Sequence, residues 1–268
     1  MKPQSFDYHR TDSLAEACKV MESGHARPIA GGQSLGPMLN LRLARPEGLL
    51  DVSALHELRS CKRIKGGVLI GAAVTHADIE DGRVPDNTRG ILPGIARRIA
   101  YRAVRSRGTI GGSLAHADPA ADWATTLSAL GAQVILQRPS AKGPSRRRLY
   151  LKDFITGAMQ TVLSEDELLV AVFVPDLPDD KRFGYFKLCR KTGELASAMG
   201  AVLRGPDQDH CVVFGSLPGA PLTLTGADVL EQTTWTRALT ARYPDMDEAD
   251  LTVRKHVMKK ALERSEYE

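Results

Sequence analysis

The sequence predicts an α+β protein in which two mixed lobes precede a C-terminal antiparallel sheet with helices. Two short apolar runs, GLLDVS and VLIGAAV, have the Val, Ile and Leu content of buried strands. Helix-like stretches alternate with such runs up to about residue 178. Beyond that point three apolar runs follow one another closely, which is typical of an antiparallel meander. We therefore expect lobe 1 over residues 1–56, lobe 2 over 57–177 and the C-terminal domain over 178–268.

In lobe 1, the stretch TDSLAEACKVMESG predicts the first helix. Ser13 and Glu16 have the spacing of a capping box, and Gly24 ends the apolar periodicity. The tripeptide PIA predicts a short strand that runs into a pair of glycines. The apolar stretch SLGPMLNLRLARP follows them and stops at Pro46, after which GLLDVS predicts the next strand.

Lobe 2 contains the strand VLIGAAV and then a short helix, THADIED, with Thr75 as its cap. A second helix is expected around residues 95–99. In DPAADWATTLSALG we expect Asp118 as the N-cap, Pro119 as the first helical residue and Gly131 at the end. AQVILQ and DELLVAVFVP predict two more strands, and the basic stretch RPSAKGPSRRR between them predicts a loop at a hairpin tip.

The C-terminal domain is expected to hold a three-stranded sheet and helices. FGYFKLCRK, LASAMGAVLR and HCVVFGSL predict three consecutive strands with short connections. The stretch MDEADLTVRKHVMKKALERS predicts a final helix whose apolar side carries Leu251, Val257, Met258 and Leu262.

Composition is that of a globular protein, with 43% hydrophobic and 25% charged residues in a chain of 268. No apolar run approaches the ~20 residues of a membrane span, and the polar N-terminus lacks the apolar core of a signal peptide. We therefore expect a cytoplasmic protein with no membrane span. The four cysteines form no C-x-x-C pair, so we expect reduced, buried thiols and no zinc or iron–sulfur site in this chain.

Two glycine motifs share one design. AGGQS, Ala30–Ser34, and TIGGS, Thr109–Ser113, each place two glycines and a hydroxyl between a strand-like lead-in and an apolar run. Glycine pairs permit positive φ and let a ligand reach the backbone N–H groups, which together form an anion site. Two such motifs from separate lobes suit the diphosphate of a dinucleotide, although each alone also suits a simple tight turn. The P-loop and Rossmann patterns are absent.

The polar residues after the second motif do not make a catalytic set. Asp118 and Asp122 are spaced i and i+4, so in a helix they share one face. Asp118 suits a helix cap, and Asp122 suits either solvent or a hydrogen bond to a ribose hydroxyl or ring N–H. His116 has no second histidine at metal-ligand spacing and is expected to be structural. We therefore expect no catalytic residue and no metal site, and interpret the chain as a cofactor holder.

Both motifs, in AGGQSLGPMLNLRLARP and VRSRGTIGGSLAHADPAADW, resemble the FAD-binding medium subunit of the molybdenum-containing hydroxylases, the family of carbon monoxide dehydrogenase and xanthine dehydrogenase. LLDVSAL, IGAAVTHADI, DELLVAVFVP and FKLCRKTGELASAMGAV extend the resemblance over nearly the whole chain. It implies the vanillyl-alcohol-oxidase-type (PCMH) FAD-binding fold, two α/β lobes with a C-terminal antiparallel domain. The FAD-contact positions that it implies are Ala30, Gly31, Gly32, Gln33, Ser34, Thr109, Ile110, Gly111, Gly112, Ser113, Asp122, Leu169 and Lys187.

Of these, Lys187 also has a physical rationale, since a cation beside the flavin ring stabilises its reduced, anionic form. The sequence departs from the family at Leu195, where an aromatic side chain often packs on the flavin, and at Ser106, where many members have asparagine. The C-terminal stretch GSLPGAPLTLTGADVLEQ departs most, and no site is expected there.

The resemblance implies a function in electron transfer. The chain would carry FAD, with the molybdopterin cofactor in a large partner subunit and two [2Fe–2S] clusters in a small one, in a dimer of heterotrimers. Electrons would pass from the clusters through FAD to an external acceptor. One alternative is an assembly subunit that has lost the flavin. A second is a nucleic-acid binder, which the net charge of +4 and few aromatic residues disfavour. Its basis is two arginine clusters: Arg97, Arg98, Arg102, Arg105 and Arg107, and Arg146, Arg147 and Arg148.

Overall fold

A computed structural model of the chain describes residues 2–140 and 143–267. Strands and helices are mixed along the first two thirds, and strands dominate from residue 155 to residue 225, as the fold class predicts. The strands are β1 (Asp7–Arg10), β2 (Ala26–Ile29), β3 (Gly48–Asp51), β4 (Cys61–Ile64), β5 (Gly67–Gly71), β6 (Gln133–Arg138), β7 (Ser145–Tyr150), β8 (Ile155–Gly157), β9 (Gln160–Thr161), β10 (Leu168–Pro175), β11 (Arg182–Leu188), β12 (Ala198–Arg204), β13 (Cys211–Gly215) and β14 (Leu222–Thr225). The helices are α1 (Leu14–Met21), α2 (Leu35–Asn40), α3 (His56–Arg59), α4 (His76–Glu80), α5 (Ile91–Ala96), α6 (Arg102–Arg105), α7 (Ile110–His116), α8 (Asp122–Ala129), α9 (Leu151–Phe154), α10 (Gln232–Arg242) and α11 (Glu248–Tyr267).

The first sheet is parallel, with strand order β1-β3-β2. Helix α1 covers it through Leu14, Cys18 and Met21, as its periodicity predicts. The predicted capping box is half present. The Ser13 hydroxyl accepts from the Glu16 amide, but the Glu16 carboxylate accepts from the amide of Asp12 instead of Ser13. Strand β1 escaped prediction because all of its residues are exposed, which leaves no apolar pattern.

The second sheet is antiparallel, with strand order β4-β5-β10-β6-β7. Strand β10 lies at its centre and is buried along almost its whole length, which explains its strong apolar signal. We predicted a hairpin tip in the stretch between AQVILQ and DELLVAVFVP. The structure has a hairpin there, and its two strands are β6 and β7. The last four residues of the basic stretch that we predicted as a loop, 145–148, belong to strand β7, an exposed edge strand; residues 141–142 of that stretch lie outside the described residues.

Two helices of lobe 2 differ from prediction. Helix α5 lies on the N-terminal side of the expected position around residues 95–99. Helix α8 begins at Asp122, with Ala121 as N-cap, so Asp118 is not the cap and Pro119 is not helical. The Asp118 carboxylate instead accepts from the Ala120 amide at 2.8 Å. The Pro119 carbonyl accepts from Ser216, which keeps this segment out of the helix.

The third sheet, β11-β12-β13-β14, contains the three predicted strands and a fourth, β14, that the sequence did not reveal. Its residues are half-buried or exposed, so its apolar pattern is weak. Helix α11 lies against β11 and β12, as its apolar side predicts. The contact is so close that a side chain at Gly184 would overlap the carbonyl of Ala261. Helix α10 was not predicted.

The sheets occupy residues 7–51, 61–175 and 182–225 of the chain. One apolar cluster joins the second and third sheets, since Leu127 and Leu136 belong to the same core as Met199 and Val213. The domain division at residues 56 and 177 remains a prediction. No helix among the described residues has the length and apolar content needed to cross a membrane.

Candidate functional site

A cleft of about 430 Å³ is lined by residues from all three predicted parts of the chain. Its size is within the range of small-molecule and cofactor sites. The predicted site residues that line it are Ala30, Gly31, Gly32, Gln33, Ser34, Thr109, Gly111, Gly112, Ser113, Asp122, Leu169 and Lys187. Ile110 does not line it, because its side chain is 0% exposed in the hydrophobic core.

The first glycine motif is an open turn between β2 and α2. Gly32 has φ of 69°, a conformation that favours glycine. The amides of residues 31–35 have no hydrogen-bond acceptor within residues 2–140 and 143–267. Such a run of free N–H groups forms a concave site for an anion. This turn therefore has the backbone geometry that the sequence predicts.

The second motif is not an open turn. Thr109 is the N-cap of α7, and its hydroxyl accepts from the Gly112 amide at 3.0 Å. The Ile110 amide donates to Val74 and the Gly111 amide to Ala72, at 3.0 and 2.9 Å. The expectation of free amides here is therefore wrong, because a neighbouring chain segment accepts from them. What the motif offers the cleft is the side-chain-free surface of Gly112 and the hydroxyl of Ser113.

Glycine at position 111 is required by packing, since a Cβ there would lie 2.7 Å from the Ala72 carbonyl oxygen. A similar close approach joins the two motifs. A Cβ on Gly31 would overlap the Arg107 carbonyl and lie 2.9 Å from the Gly108 Cα. The first turn thus rests directly on the segment that leads into the second motif. Both motifs consequently border the same cleft.

A buried ion pair lies in the wall of this cleft. Lys187 Nζ is 2.9 Å from Asp122 Oδ2, and the two side chains are 6% and 4% exposed. The Tyr185 hydroxyl donates to Asp122 Oδ1 at 2.7 Å. Burial, followed by the Asp122 charge, raises the pKa of Tyr185 well above its ordinary value. Asp122 and Lys187 were predicted site residues, whereas Tyr185 was missed.

The pairing changes the interpretation of both predicted residues. Lys187 is not a free cation beside a flavin, because its charge is balanced by Asp122. Asp122 in turn has both oxygens engaged, which leaves it fixed in position. The signal for Tyr185 was its position two residues before Lys187 on a strand, since residues i and i+2 share a face.

A second buried polar pair lies beneath the motifs. The Trp123 indole N–H donates to His76 Nδ1 at 3.0 Å, and both side chains are buried. Burial, with a smaller contribution from the Arg105 charge, lowers the pKa of His76 to about 4. His76 is therefore neutral near pH 7, and it lines the cleft. Sequence reasoning missed it, since the THADIED pattern indicated only a capped helix.

This pKa predicts a loss of stability in acid. His76 has an ordinary pKa of 6.5 and one of about 4 in the folded chain, so between these values only the unfolded chain gains the proton. We expect the protonation of His76 in the unfolded chain to lower the free energy of unfolding by ~3 kcal/mol as the pH falls from 7 to 4. Urea titrations across this range measure it. His76→Asn should remove this part of the slope, and His256→Gln, at an exposed histidine, should leave it; equal slopes for wild type and His76→Asn would contradict the assignment.

Five of the eight clustered arginines have partners inside the chain. Arg105 is 9% exposed and forms a bidentate ion pair with Glu80. Arg102 forms ion pairs with Glu80 and Asp81. The run at 146–148 is similarly engaged with Gln137, Glu167 and the Phe173 ring. These contacts explain Arg102, Arg105 and the three arginines at 146–148 without a nucleic acid.

Other residues that the sequence singled out are His116, the four cysteines and Leu195. His116 lines the cleft, and burial lowers its pKa. All four cysteines are free; Cys18 is buried as expected, but the other three are only half-buried. Within the described ranges there is no group of three or more His, Cys, Asp or Glu residues that could hold a metal ion. Leu195 is 63% exposed and lines the cleft.

Residues 4–177 match the model of a protein family described as the FAD binding domain in molybdopterin dehydrogenase. The chain belongs to this family. It is therefore the FAD-binding medium subunit of a dehydrogenase of the molybdenum hydroxylase type. The matched range contains both glycine motifs, Asp122 and Leu169, while Lys187 lies beyond it.

Relatives extend the similarity over most of the chain. The glyceraldehyde dehydrogenase medium chain of Sulfolobus acidocaldarius is 37% identical over 226 residues, covering 82% of this chain and 79% of that protein. The carbon monoxide dehydrogenase medium chain of Hydrogenophaga pseudoflava is 36% identical over 205 residues, covering 76% and 70%. These matches confirm the resemblance found in the sequence.

Solved structures confirm the fold. The carbon monoxide dehydrogenase of Hydrogenophaga pseudoflava that lacks the Mo-pyranopterin moiety superposes with a TM-score of 0.86 at 30% identity, covering 99% of this chain and 98% of that one. Quinoline 2-oxidoreductase from Pseudomonas putida 86 superposes with a TM-score of 0.84 at 30% identity, covering 99% of both chains. The α+β architecture, including the C-terminal antiparallel sheet, is thus that of this family.

Proposed function

We propose that this chain holds FAD in the cleft and relays electrons from a [2Fe–2S] partner subunit to an external acceptor. FAD supplies redox chemistry that amino-acid side chains lack. The proposed FAD-contact residues are Ala30, Gly31, Gly32, Gln33, Ser34, Thr109, Gly111, Gly112, Ser113, Asp122, Leu169 and Lys187. Ile110 is left out because its side chain is in the core and its amide is already bonded.

The free amides of the first turn are the observation that carries this proposal. No backbone N–H group of residues 31–35 donates to another described residue, and this turn borders a cleft of about 430 Å³. An oxygen-rich anion such as a diphosphate provides the acceptors that these amides lack. The Ser34 and Ser113 hydroxyls line the same cleft and add further donors.

The Asp122–Lys187 pair would give the flavin end of the cleft a fixed, charge-balanced wall. Because Lys187 is bonded to Asp122, it would act through an oriented dipole rather than a free positive charge. Tyr185 holds the other carboxylate oxygen and so prevents the pair from rotating. In this role Asp122, Lys187 and Tyr185 transfer no proton, which agrees with the absence of a catalytic set in the sequence.

We further propose that substrate oxidation takes place on a large molybdopterin subunit, in a cytoplasmic dimer of heterotrimers completed by a small [2Fe–2S] subunit. The names of similar medium chains support the separation of roles. Chains that are 32–37% identical to this one carry names that refer to glyceraldehyde, carbon monoxide and caffeine. Similarity among chains whose names refer to such unlike substrates supports a substrate site in another subunit.

The purified hetero-complex tests the function. We expect one FAD per medium chain, released as intact FAD on denaturation, and bleaching of the flavin when substrate reduces the clusters under anaerobic conditions. The rival assembly role predicts a complex without flavin. A flavin that stays oxidised while the clusters become reduced would contradict the relay but not the binding. The free amides at residues 31–35 favour the flavin-bearing role.

A further inference from the structure

We propose that His76 donates a hydrogen bond from its Nε2–H to the diphosphate of the bound dinucleotide. This inference rests on the proposed FAD site and adds a contact from a side chain that the sequence did not single out. It depends on three features of the structure: the tautomer of the ring, the position of Nε2 and the missing acceptor.

The tautomer is fixed by Trp123. Its indole N–H is only a donor, so His76 Nδ1 at 3.0 Å must be the acceptor and carry no proton. The single proton of the neutral ring is therefore on Nε2. Trp123 is 0% exposed and sits in α8, so it has no freedom to turn away and release Nδ1. The Arg105 charge nearby opposes a second proton on the ring.

The position of Nε2 is given by Gly108. A Cβ on Gly108 would lie 3.0 Å from both Cδ2 and Nε2 of His76, so this edge of the ring faces that glycine. Gly108 is also the residue against which Gly31 packs, at the point where the two glycine motifs meet. His76, Gly108 and Gly31 all line the cleft. The Nε2–H consequently lies near the junction of the two motifs, in the cleft that the free amides of the first turn also border.

The acceptor is missing from the protein itself. His76 is 5% exposed, yet no acceptor for Nε2–H occurs among the residues that the structure describes. Nε2 is not one of the fully buried side-chain atoms without a partner, and His76 lines the cleft, so this N–H is open to the cleft. A ligand that displaces water from it is expected to supply an acceptor, because a donor that is buried without a partner is unfavourable. A diphosphate oxygen fits, because the free amides of residues 31–35 in the same cleft also need an acceptor, and one anion can serve both. A neutral imidazole adds a donor without adding a charge that varies near pH 7.

Binding of FAD fragments to the flavin-free full chain tests the contact. The probes are ADP, which carries the diphosphate, and riboflavin, which does not. His76→Asn keeps an oxygen that accepts from Trp123 but lacks a donor at Nε2. We expect it to weaken ADP binding about 10-fold or more, as for a lost hydrogen bond to a charged group. Riboflavin binding should change by less than about two-fold.

The outcomes separate this inference from the FAD site itself. Unchanged ADP affinity in His76→Asn, or equal losses for ADP and riboflavin, would overturn the contact while leaving FAD binding intact. A wild-type chain that binds no FAD would instead overturn the proposed function. If the variant does not fold, nitrogen NMR of wild-type His76 decides: ADP should shift the Nε2 resonance, and riboflavin should not. A protonated Nδ1, or an Nε2 resonance that ADP leaves in place, would also overturn the inference.

Discussion

Replacement of Asp122 by alanine is expected to lower the free energy of unfolding by about 3–5 kcal/mol, the usual cost of breaking a buried ion pair from one side. The variant leaves Lys187 Nζ without its counter-charge in a side chain only 6% exposed. It also takes the acceptor from the Tyr185 hydroxyl, a phenol whose raised pKa already reflects deep burial. Urea unfolding at pH 7 measures the loss.

The matched control is a solvent-exposed ion pair on the protein surface. Lys260 and Glu263 are paired on α11 with both side chains 41% exposed, so Glu263→Ala should cost far less stability than Asp122→Ala. The double variant Asp122→Leu with Lys187→Met removes both charges together and should recover most of the loss, since it leaves no unpaired charge. A loss in Asp122→Ala no larger than in Glu263→Ala would mean that the pair is hydrated and does not form a rigid wall.

Strands with an apolar face were predictable, and strands without one were not. Strand β10 is buried along almost its whole length, and its run of Leu, Val and Phe is a clear strand pattern. By contrast β1 and β7 are mainly exposed, so their residues carry no alternation that identifies a strand. The hydrogen bonds that define such strands come from their neighbours, which a local pattern does not contain.

The site was predictable where a single segment makes it and not where distant segments meet. A single short motif determines both the shape of the turn at residues 31–35 and its free amides. The second motif looks alike in sequence, but its amides are taken by Val74 and Ala72, which only the folded chain brings near. Tyr185 and Trp123 escaped notice for the same reason, since their partners are 63 and 47 residues away.

Gly31→Ala is expected to abolish FAD retention on purification, with a loss of affinity of at least about 100-fold. The added methyl would overlap the Arg107 carbonyl, and backbone on both sides leaves no flexible group to yield. The first turn must therefore shift away from the 107–108 segment, which carries the amides of residues 31–35 out of register with the second motif. Overpacking of this kind also costs about 1–3 kcal/mol of stability. The flavin-to-protein absorbance ratio and urea unfolding measure the two effects.

Gly36→Ala supplies the control five residues along the same chain. A Cβ at Gly36 meets no atom within 4 Å, and position 36 lies in helix α2, where alanine is favoured over glycine. This variant should keep its flavin and be as stable as wild type or slightly more so. If Gly31→Ala retained flavin as well as Gly36→Ala does, the contact between the two motifs would not be what aligns the amides. The anion site would then depend on the first turn alone, with Gly32 and its φ of 69° as the next position to test.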